Sequence, residues 1–390
     1  MNNVKAVVVV LVVLSLYIML CYYIGVKGKN IFIKRNVKIK TKIYWSIYWF
    51  TILSFLIGSI LRGILTIDNW FASTVLLIGA VSIAVFIYSI LLFLPVDLAI
   101  LIIKRIRISK SIKYKLKRLY CGGISIFVIV FIIVGYGIWN AKNQVVTNYD
   151  VNINKAAGQL DSLNVVMVSD VHVGIGIREK GIDKLVNSIN ELNPDIVLFC
   201  GDMVDESTPT KLKEYSTQAF KYIQSKYGVY DITGNHEYNS GDISKTISFF
   251  EEGNVKFLQD EVLKINDSFY IVGRNDPAGK ILDGQETKPL SDILKDVDRS
   301  LPIIVLNHRP ERLQEAEEEK VDLQLSGHTH KGQIFPGNII TGLLNEDDYG
   351  YMKKNDFNLI VSSGYGTWGP PLRIGTKGEI VNIKINFNKG

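Results

Sequence analysis

The 390-residue chain carries 44 Lys and Arg against 38 Asp and Glu, with only five His and three Cys. That near balance conceals a division, because residues 1–142 hold 18 basic and two acidic residues, a net of +16, while the remainder has a net of −10. An acidic second half excludes a nucleic-acid groove, which needs a positive surface, and a single Cys outside the basic half excludes an internal disulfide framework or a Cys zinc cluster.

In chain order, the basic half predicts four membrane spans. Val4 to Val26 carries one charge, Lys5, and at about 1.5 Å per residue is long enough for a bilayer core. A signal peptide, or a lipoprotein signal ending at Cys21, is the competing reading; Ile18-Met19-Leu20 lacks the small residues of a cleavage site, and further spans follow. Ile43 to Ile60 is the second span, with Trp45, Tyr48 and Trp49 suited to an interface. The third runs from Trp70-Phe71 to Ile103, longer than a bilayer core, so Pro95 and Asp97 are expected where it bends or leaves the lipid. Asp97 is read as an interfacial residue in preference to an intramembrane functional carboxylate. Leu119 to Trp139 is the fourth span. Lys27 to Lys42 carries seven basic residues and Lys104 to Arg118 eight, with no acids in either. Such loops stay in the cytoplasm, so everything after Trp139 is expected on the extracytoplasmic side of a multi-pass cell-membrane protein.

A transmembrane domain, 1–142, is thus followed by an α/β domain, 143–390, after a polar linker at Lys142 to Thr147. Strands are expected at Tyr149 to Ile153, Leu163 to Ser169, Ile196 to Cys200, Val229 to Thr233, Ser268 to Gly273, Ile303 to Asn307, Leu323 to Ser326, Phe357 to Gly364 and Ile380 to Phe387. Helices are expected at Ile182 to Leu192, Thr217 to Lys226 and Ile243 to Gly253. Repeatedly an apolar strand ends in a loop holding His, Asp or Asn, and ligand sites form at the carboxyl ends of strands in such sheets.

All five histidines fall in these loops: Ser169-Asp170-Val171-His172, Gly234-Asn235-His236-Glu237, Asn307-His308 and Gly327-His328-Thr329-His330, with Gly201-Asp202 between the first two. Singly, an Asp-x-His or a Gly-Asn-His is more often an ordinary loop or turn; five motifs that consume every His are not. Two divalent ions about 3.5–4 Å apart need a shared anionic oxygen, and Asp202 at the end of a rigid strand is the candidate bridge. Asp170 and His172 can reach one ion from one loop, while His328 and His330 can each reach a different ion. An N/O donor set without thiolate suits Mn, Fe, Zn, Co or Ni and does not choose among them.

From about Leu163 to the C-terminus this motif order resembles the calcineurin-like metallophosphoesterase family. With spans in front and Gly364-Tyr365-Gly366-Thr367-Trp368-Gly369 to Arg373 behind, it is similar in particular to the membrane-anchored branch that includes phosphoesterases of the UDP-2,3-diacylglucosamine hydrolase type. The resemblance implies a four-layer fold, two mixed β-sheets sandwiched between helices. It also implies one ion held by Asp170, His172, Asp202 and His330, and a second held by Asp202, Asn235, His308 and His328. His236 is left to protonate or stabilise the leaving oxygen after attack by a metal-bridging hydroxide. Glu237 either orients His236 and lines the substrate site or is a turn carboxylate. Arg373, beyond a Gly-rich loop, is a candidate ligand for a second phosphate. Asp205 reads as a site residue or a loop cap; Arg274 and Asp276 line the cleft or pair with each other.

The expectation is a membrane-tethered phosphoesterase or pyrophosphatase acting on a phosphorylated small molecule or lipid. A tether of about eight to twenty residues after Trp139 would hold it near the headgroups. A non-catalytic membrane sensor or scaffold with a phosphoesterase-like ligand-binding domain is the alternative.

Overall fold

The computed structural model describes every residue except 1, 66–68, 106–108, 121–122, 207, 240–241, 283, 285 and 389–390, and leaves out the side chains of residues 2–4, 6, 110, 113 and 117–119. Asp68, Arg107 and Cys121 therefore lie outside the described residues. Two compact units are present, Met1–Tyr136 and Gly137–Gly390.

In the first unit the long apolar runs form helices α1 (Asn2–Lys34), α2 (Thr41–Ile64) and α3 (Trp70–Arg105); the basic α4 (Lys110–Tyr120) and the apolar α5 (Ile124–Ala141) follow. Four of these, Val7–Lys34 of α1 with α2, α3 and α5, are long and apolar enough to cross a membrane. The fourth candidate span starts at Ile124, because Lys115, Lys117 and Arg118 belong to α4. α3 continues through Pro95. Asp97 accepts a hydrogen bond from the Tyr23 hydroxyl at 2.6 Å and is paired with Lys27, which accounts for a carboxylate at that position. Small residues let α2 and α3 touch. A Cβ on Gly79 would lie 2.0 Å from the backbone N of Phe55, and one on Gly58 would lie 2.5 Å from that of Leu76.

The second unit holds two six-stranded mixed sheets. One has the order β1 (Val145–Ile153), β12 (Glu379–Phe387), β2 (Ser162–Val168), β3 (Ile196–Phe199), β4 (Val229–Asp231), β5 (Val255–Phe257). The other has the order β10 (Gly350–Lys354), β11 (Phe357–Val361), β9 (Leu323–Ser326), β8 (Ile303–Leu306), β7 (Phe269–Gly273), β6 (Glu261–Ile265). β2 to β5 run parallel, as do β7, β8, β9 and β11. Buried parallel strands are apolar on both faces, and successive side chains point to opposite sides. Val165, Met167, Ile196 and Leu198 therefore meet Ile271, Ile304, Leu306, Leu325 and Ile360 in the core between the sheets. Their neighbours Val166, Val168, Val197 and Phe199 pack outward under α6 (Glu179–Glu191), α7 (Thr210–Phe220) and α9 (Ile243–Glu251). After the short α10 (Ala278–Leu282), Val272, Ile303, Val305 and Leu359 do the same on the other sheet, under α11 (Leu290–Ile293) and α12 (Leu313–Glu318).

Two expectations are corrected. The helix placed at Thr217 to Lys226 is α7, which starts at Thr210 after Pro209; it buries Leu212, Ser216, Thr217 and Phe220, whereas Gln224 to Lys226 offer nothing to bury and turn the chain into β4. The polar linker is also shorter than expected. α5 runs to Ala141 and β1 begins at Val145, leaving residues 142–144 between them.

Candidate metal centre

The motifs meet at the carboxyl ends of five strands. β2 delivers Asp170 and His172, β3 delivers Asp202, β4 leads into α8 (Asn235–Asn239), β8 delivers His308, and β9 delivers His328 and His330. Sharp reversals turn these side chains back over the strand ends. Asp170, His172, Asp202, His328 and His330 all have φ between 45° and 70°, a left-handed conformation that non-glycine residues adopt at a cost and that concentrates at functional sites. Glycine makes room behind them. A Cβ on Gly234 would lie 2.2 Å from Asp202 Oδ1, and one on Gly327 would lie 2.3 Å from Asp170 Oδ2.

Asp170, His172 and His330 form one convergent group, and Asp202, His308 and His328 form another. In the first, the Nε2 atoms of His172 and His330 are 3.1 Å apart, and His330 Nε2 is 3.3 Å from Asp170 Oδ1. In the second, His308 Nε2 lies 3.2 Å from His328 Nδ1 and 3.1 Å from Asp202 Oδ2. The same Asp202 oxygen is 3.9 Å from His172 Nε2, so one carboxylate oxygen faces both groups. His308 Nδ1 donates to the Cys200 carbonyl at 2.7 Å, which turns Nε2 toward the site. The Asp170 carboxylate accepts the His328 backbone N–H at 3.0 Å, tying the loops after β2 and β9 together. Among the described residues the buried Asn235 Oδ1 has no hydrogen-bond partner, as an oxygen suited to a cation would have none. This donor set of imidazole, carboxylate and amide oxygen fits divalent ions.

Burial and neighbouring charges together set the protonation of these groups, and the Asp202 carboxylate raises His308 well above its ordinary value against burial. Burial lowers His172 and His328 to about 3 and His330 well below its ordinary value, so these imidazoles are neutral and able to ligate. Burial pushes Asp170 up to about 6, with Asp202 adding to the shift and His308 opposing it. Against the same desolvation, the His308 charge and hydrogen bond, helped by His172 and His236, hold the Asp202 carboxyl below the usual range.

His236 stands at the edge of the centre. Its backbone N–H donates to Asp202 Oδ1 at 2.8 Å, its ring lies 4.9 Å from that of His172, and Nδ1 is 3.3 Å from Glu206 Oε1. Desolvation alone would lower it; the close approach of the Glu206 carboxylate and the Asp202 charge outweigh that and raise it to about 9. Trp368 packs beside it at 6.0 Å between ring centroids. Glu206 carried no signal in the sequence beyond residue type, whereas Trp368 lies in the Gly364 to Gly369 motif, which left its place beside His236 unassigned.

Two expected substrate contacts are corrected. Glu237 is fully buried, and its carboxylate accepts the backbone N–H groups of Asp202, Met203 and Gly234 at 2.7–2.9 Å and that of Val204 at 3.3 Å. It fixes the loop that presents Asp202 and has no face for substrate. Arg373 is likewise fully buried. Its guanidinium donates to the carbonyls of Ser363, Gly364, Gly366 and Lys377 and to Thr376 Oγ1, which leaves no donor for a phosphate. It clamps the loop behind His330, whose Nδ1 is 3.3 Å from Nη2. Arg274 and Asp276 do not pair with each other: Arg274 binds Glu315 at 2.8 Å, and Asp276 makes a two-point contact with Arg309 at 2.7 and 2.9 Å. Asp205 is buried in the loop after Asp202, with its backbone N–H donating to Thr208 Oγ1 at 2.8 Å.

Residues 163–332 match the calcineurin-like phosphoesterase family. The chain is 34% identical over 270 residues to a metallophosphoesterase of Campylobacter jejuni, covering 68% of this chain and 70% of that protein. It is 28% identical over 275 residues to a transmembrane protein with metallophosphoesterase domain of Danio rerio, covering 66% of this chain and 61% of the relative. Identity to the UDP-2,3-diacylglucosamine pyrophosphatase LpxG of Chlamydia trachomatis is 24% over 279 residues, covering 57% of this chain and 84% of that one. The match thus spans less than two thirds of the zebrafish protein.

Proposed function

The chain belongs to the calcineurin-like phosphoesterase family, and from that premise we propose that its Gly137–Gly390 unit is a metal-dependent hydrolase of a phosphoester or pyrophosphate bond. The observation that carries this reading is Asp202 Oδ2, one oxygen directed at both groups of donors. In this reading Asp170, His172, Asp202 and His330 hold one divalent ion, and Asp202, Asn235, His308 and His328 hold the second. Two such ions, when bound, acidify a water and neutralise charge on a phosphoryl group. The chain's own residues do the rest. The buried strand ends fix the donors, the Glu237 carboxylate holds the Asp202 loop in place, and His236, kept protonated by Glu206, gives a proton to the leaving oxygen.

The substrate in this reading is a phosphorylated lipid or lipid-linked envelope intermediate on the outer face of the membrane. Four helices long and apolar enough to span support the membrane setting, the basic loops support the orientation, and the pyrophosphatase activity for which the chlamydial relative is named supports a lipid-borne pyrophosphate.

Purified full-length protein with Mn²⁺, assayed against phosphomonoesters, phosphodiesters and lipid pyrophosphates, tests the proposal. Asp202→Asn is expected to bind fewer than two metal equivalents and to lose more activity than the roughly 10–100-fold typical of outer hydrogen-bond partners of a metal, with an unchanged circular dichroism spectrum. Full activity with two metals retained overturns the bridging role; absence of turnover in the parent chain favours the ligand-binding sensor.

A further inference from the structure

In the Gly137–Gly390 unit, large exposed apolar side chains gather on one short element. Helix α13 (Gly337–Leu344) buries none of its residues, and Ile339, Ile340, Leu343 and Leu344 are 52%, 56%, 80% and 78% exposed. Phe335 just before it and Trp368 beside the metal centre are also open to solvent. A contiguous patch of this kind marks a binding surface.

What covers it is indicated by the backbone to which it is rooted. The segment leading into α13 pairs with the strip around Ile374: Phe335 N–H donates to the Ile374 carbonyl at 2.8 Å, and Ile374 N–H donates to the Gln333 carbonyl at 3.0 Å. That strip is in turn fastened to the last turn of α5. Arg373 N–H donates to the Gly137 carbonyl at 3.0 Å, and the buried Asn140 side chain donates to the carbonyls of Arg373 and Thr376 at 3.0 and 2.8 Å. α5 is a candidate membrane span ending at Ala141, and its Trp139 is exposed as an interfacial aromatic would be. The root of α13 is therefore two hydrogen-bonded steps from the last turn of a candidate spanning helix. Toward the centre, α13 starts seven residues after His330, and Gln333 Nε2 donates to the Trp368 carbonyl at 2.9 Å, which sets the Trp368 ring against His236. Thr341 Oγ1 holds the helix through the Asp348 carboxylate at 2.5 Å.

We propose that α13, with Phe335 and Trp368, is an interfacial helix that seats in the headgroup and acyl boundary of the bilayer beside the metal centre. The occupant of this surface is lipid. That the seated helix then passes a lipid substrate to the ligands rests on the hydrolase reading above; the seating itself does not.

Full-length protein in phosphatidylcholine proteoliposomes, in a background of Cys21→Ser and Cys121→Ser with Cys200 left fully buried, is labelled with a nitrobenzoxadiazole fluorophore at Leu343→Cys. A second sample is labelled at Tyr222→Cys, which is 73% exposed and lies before β4 at the opposite end of the strands from the centre. The expected result is blue-shifted emission at position 343, quenched at least about twofold by spin-labelled lipid, and unquenched emission at position 222. Ile340→Cys gives a second reading of the same surface if the first variant fails to accumulate. Quenching at 343 or 340 no greater than at 222 overturns the proposal. No turnover enters the measurement, so lipid quenching without hydrolysis leaves the seated helix standing and counts against the hydrolase alone.

Discussion

The leftover histidine acquires its chemistry from a neighbour thirty positions upstream. Glu206, half exposed, sits 3.3 Å from His236 Nδ1, and against the opposing effect of burial it acts with the Asp202 charge to lift the imidazole to about 9. A group whose pKa is raised stays protonated through neutral pH and loses its proton only as pH climbs toward 9, so a donor role predicts an alkaline limb in the rate profile. Glu206→Gln is expected to move that limb to lower pH for phosphoesters with an alkyl leaving group, leaving the acid limb in place. Between the two limbs its rate should fall toward that of His236→Ala, itself expected about a hundredfold or more below the parent at neutral pH. With a nitrophenyl leaving group, which departs without a proton, the difference should shrink; kcat against pH for the two substrates measures this. Glu237, one residue on, shows why such roles are hidden in a linear chain: its four donors belong to Asp202, Met203, Val204 and Gly234, and only folding brings them to it.

Periodicity makes the elements readable, and contact decides their limits. The apolar runs fixed α1, α2 and α3 as candidate spans, but nothing in hydropathy says that α2 and α3 meet through Gly58 and Gly79. Gly79→Leu places a branched side chain where the Phe55 backbone already lies, an overpacking of about 1–3 kcal/mol in a close interface. The expected outcome is a lower thermal midpoint of the purified full-length protein in detergent, followed by light scattering or by fluorescence; Gly63→Leu, where a Cβ meets nothing within 4 Å, should leave it unchanged. Among the strands, the alternation of Val165 and Met167 against Val166 and Val168 reflects a sheet covered on both faces. β5 alternates too, with Val255 and Phe257 buried and Lys256 exposed, but over three residues the pattern is too short to read, and α13 buries nothing that could set a period, so both elements were missed.

For the molecule as a whole, the basic loops before Lys42 and before Arg118 predict that the Gly137–Gly390 unit lies outside the cytoplasm. A phosphatase reporter fused after Gly390 is expected to be active in intact cells, and protease added outside should remove the unit; an inactive, protected reporter would reverse the orientation and favour a cytoplasmic nucleotide-lipid pyrophosphate as substrate. Consecutive residues already specify the division into an apolar basic half and an acidic α/β half, and the placement of the Asp170, His172, Asp202, His308, His328 and His330 motifs at strand ends. Hydrophobic pattern and strand-end chemistry are local, so they are written in consecutive residues. Folding alone makes Arg373 a buried clamp and Glu237 an anchor for backbone N–H groups, sets Glu206 against His236, and leaves α13 bare near the centre. Each of these is a matter of desolvation and of partners tens of residues away, and a side chain's partners exist only once the sheets have closed over it.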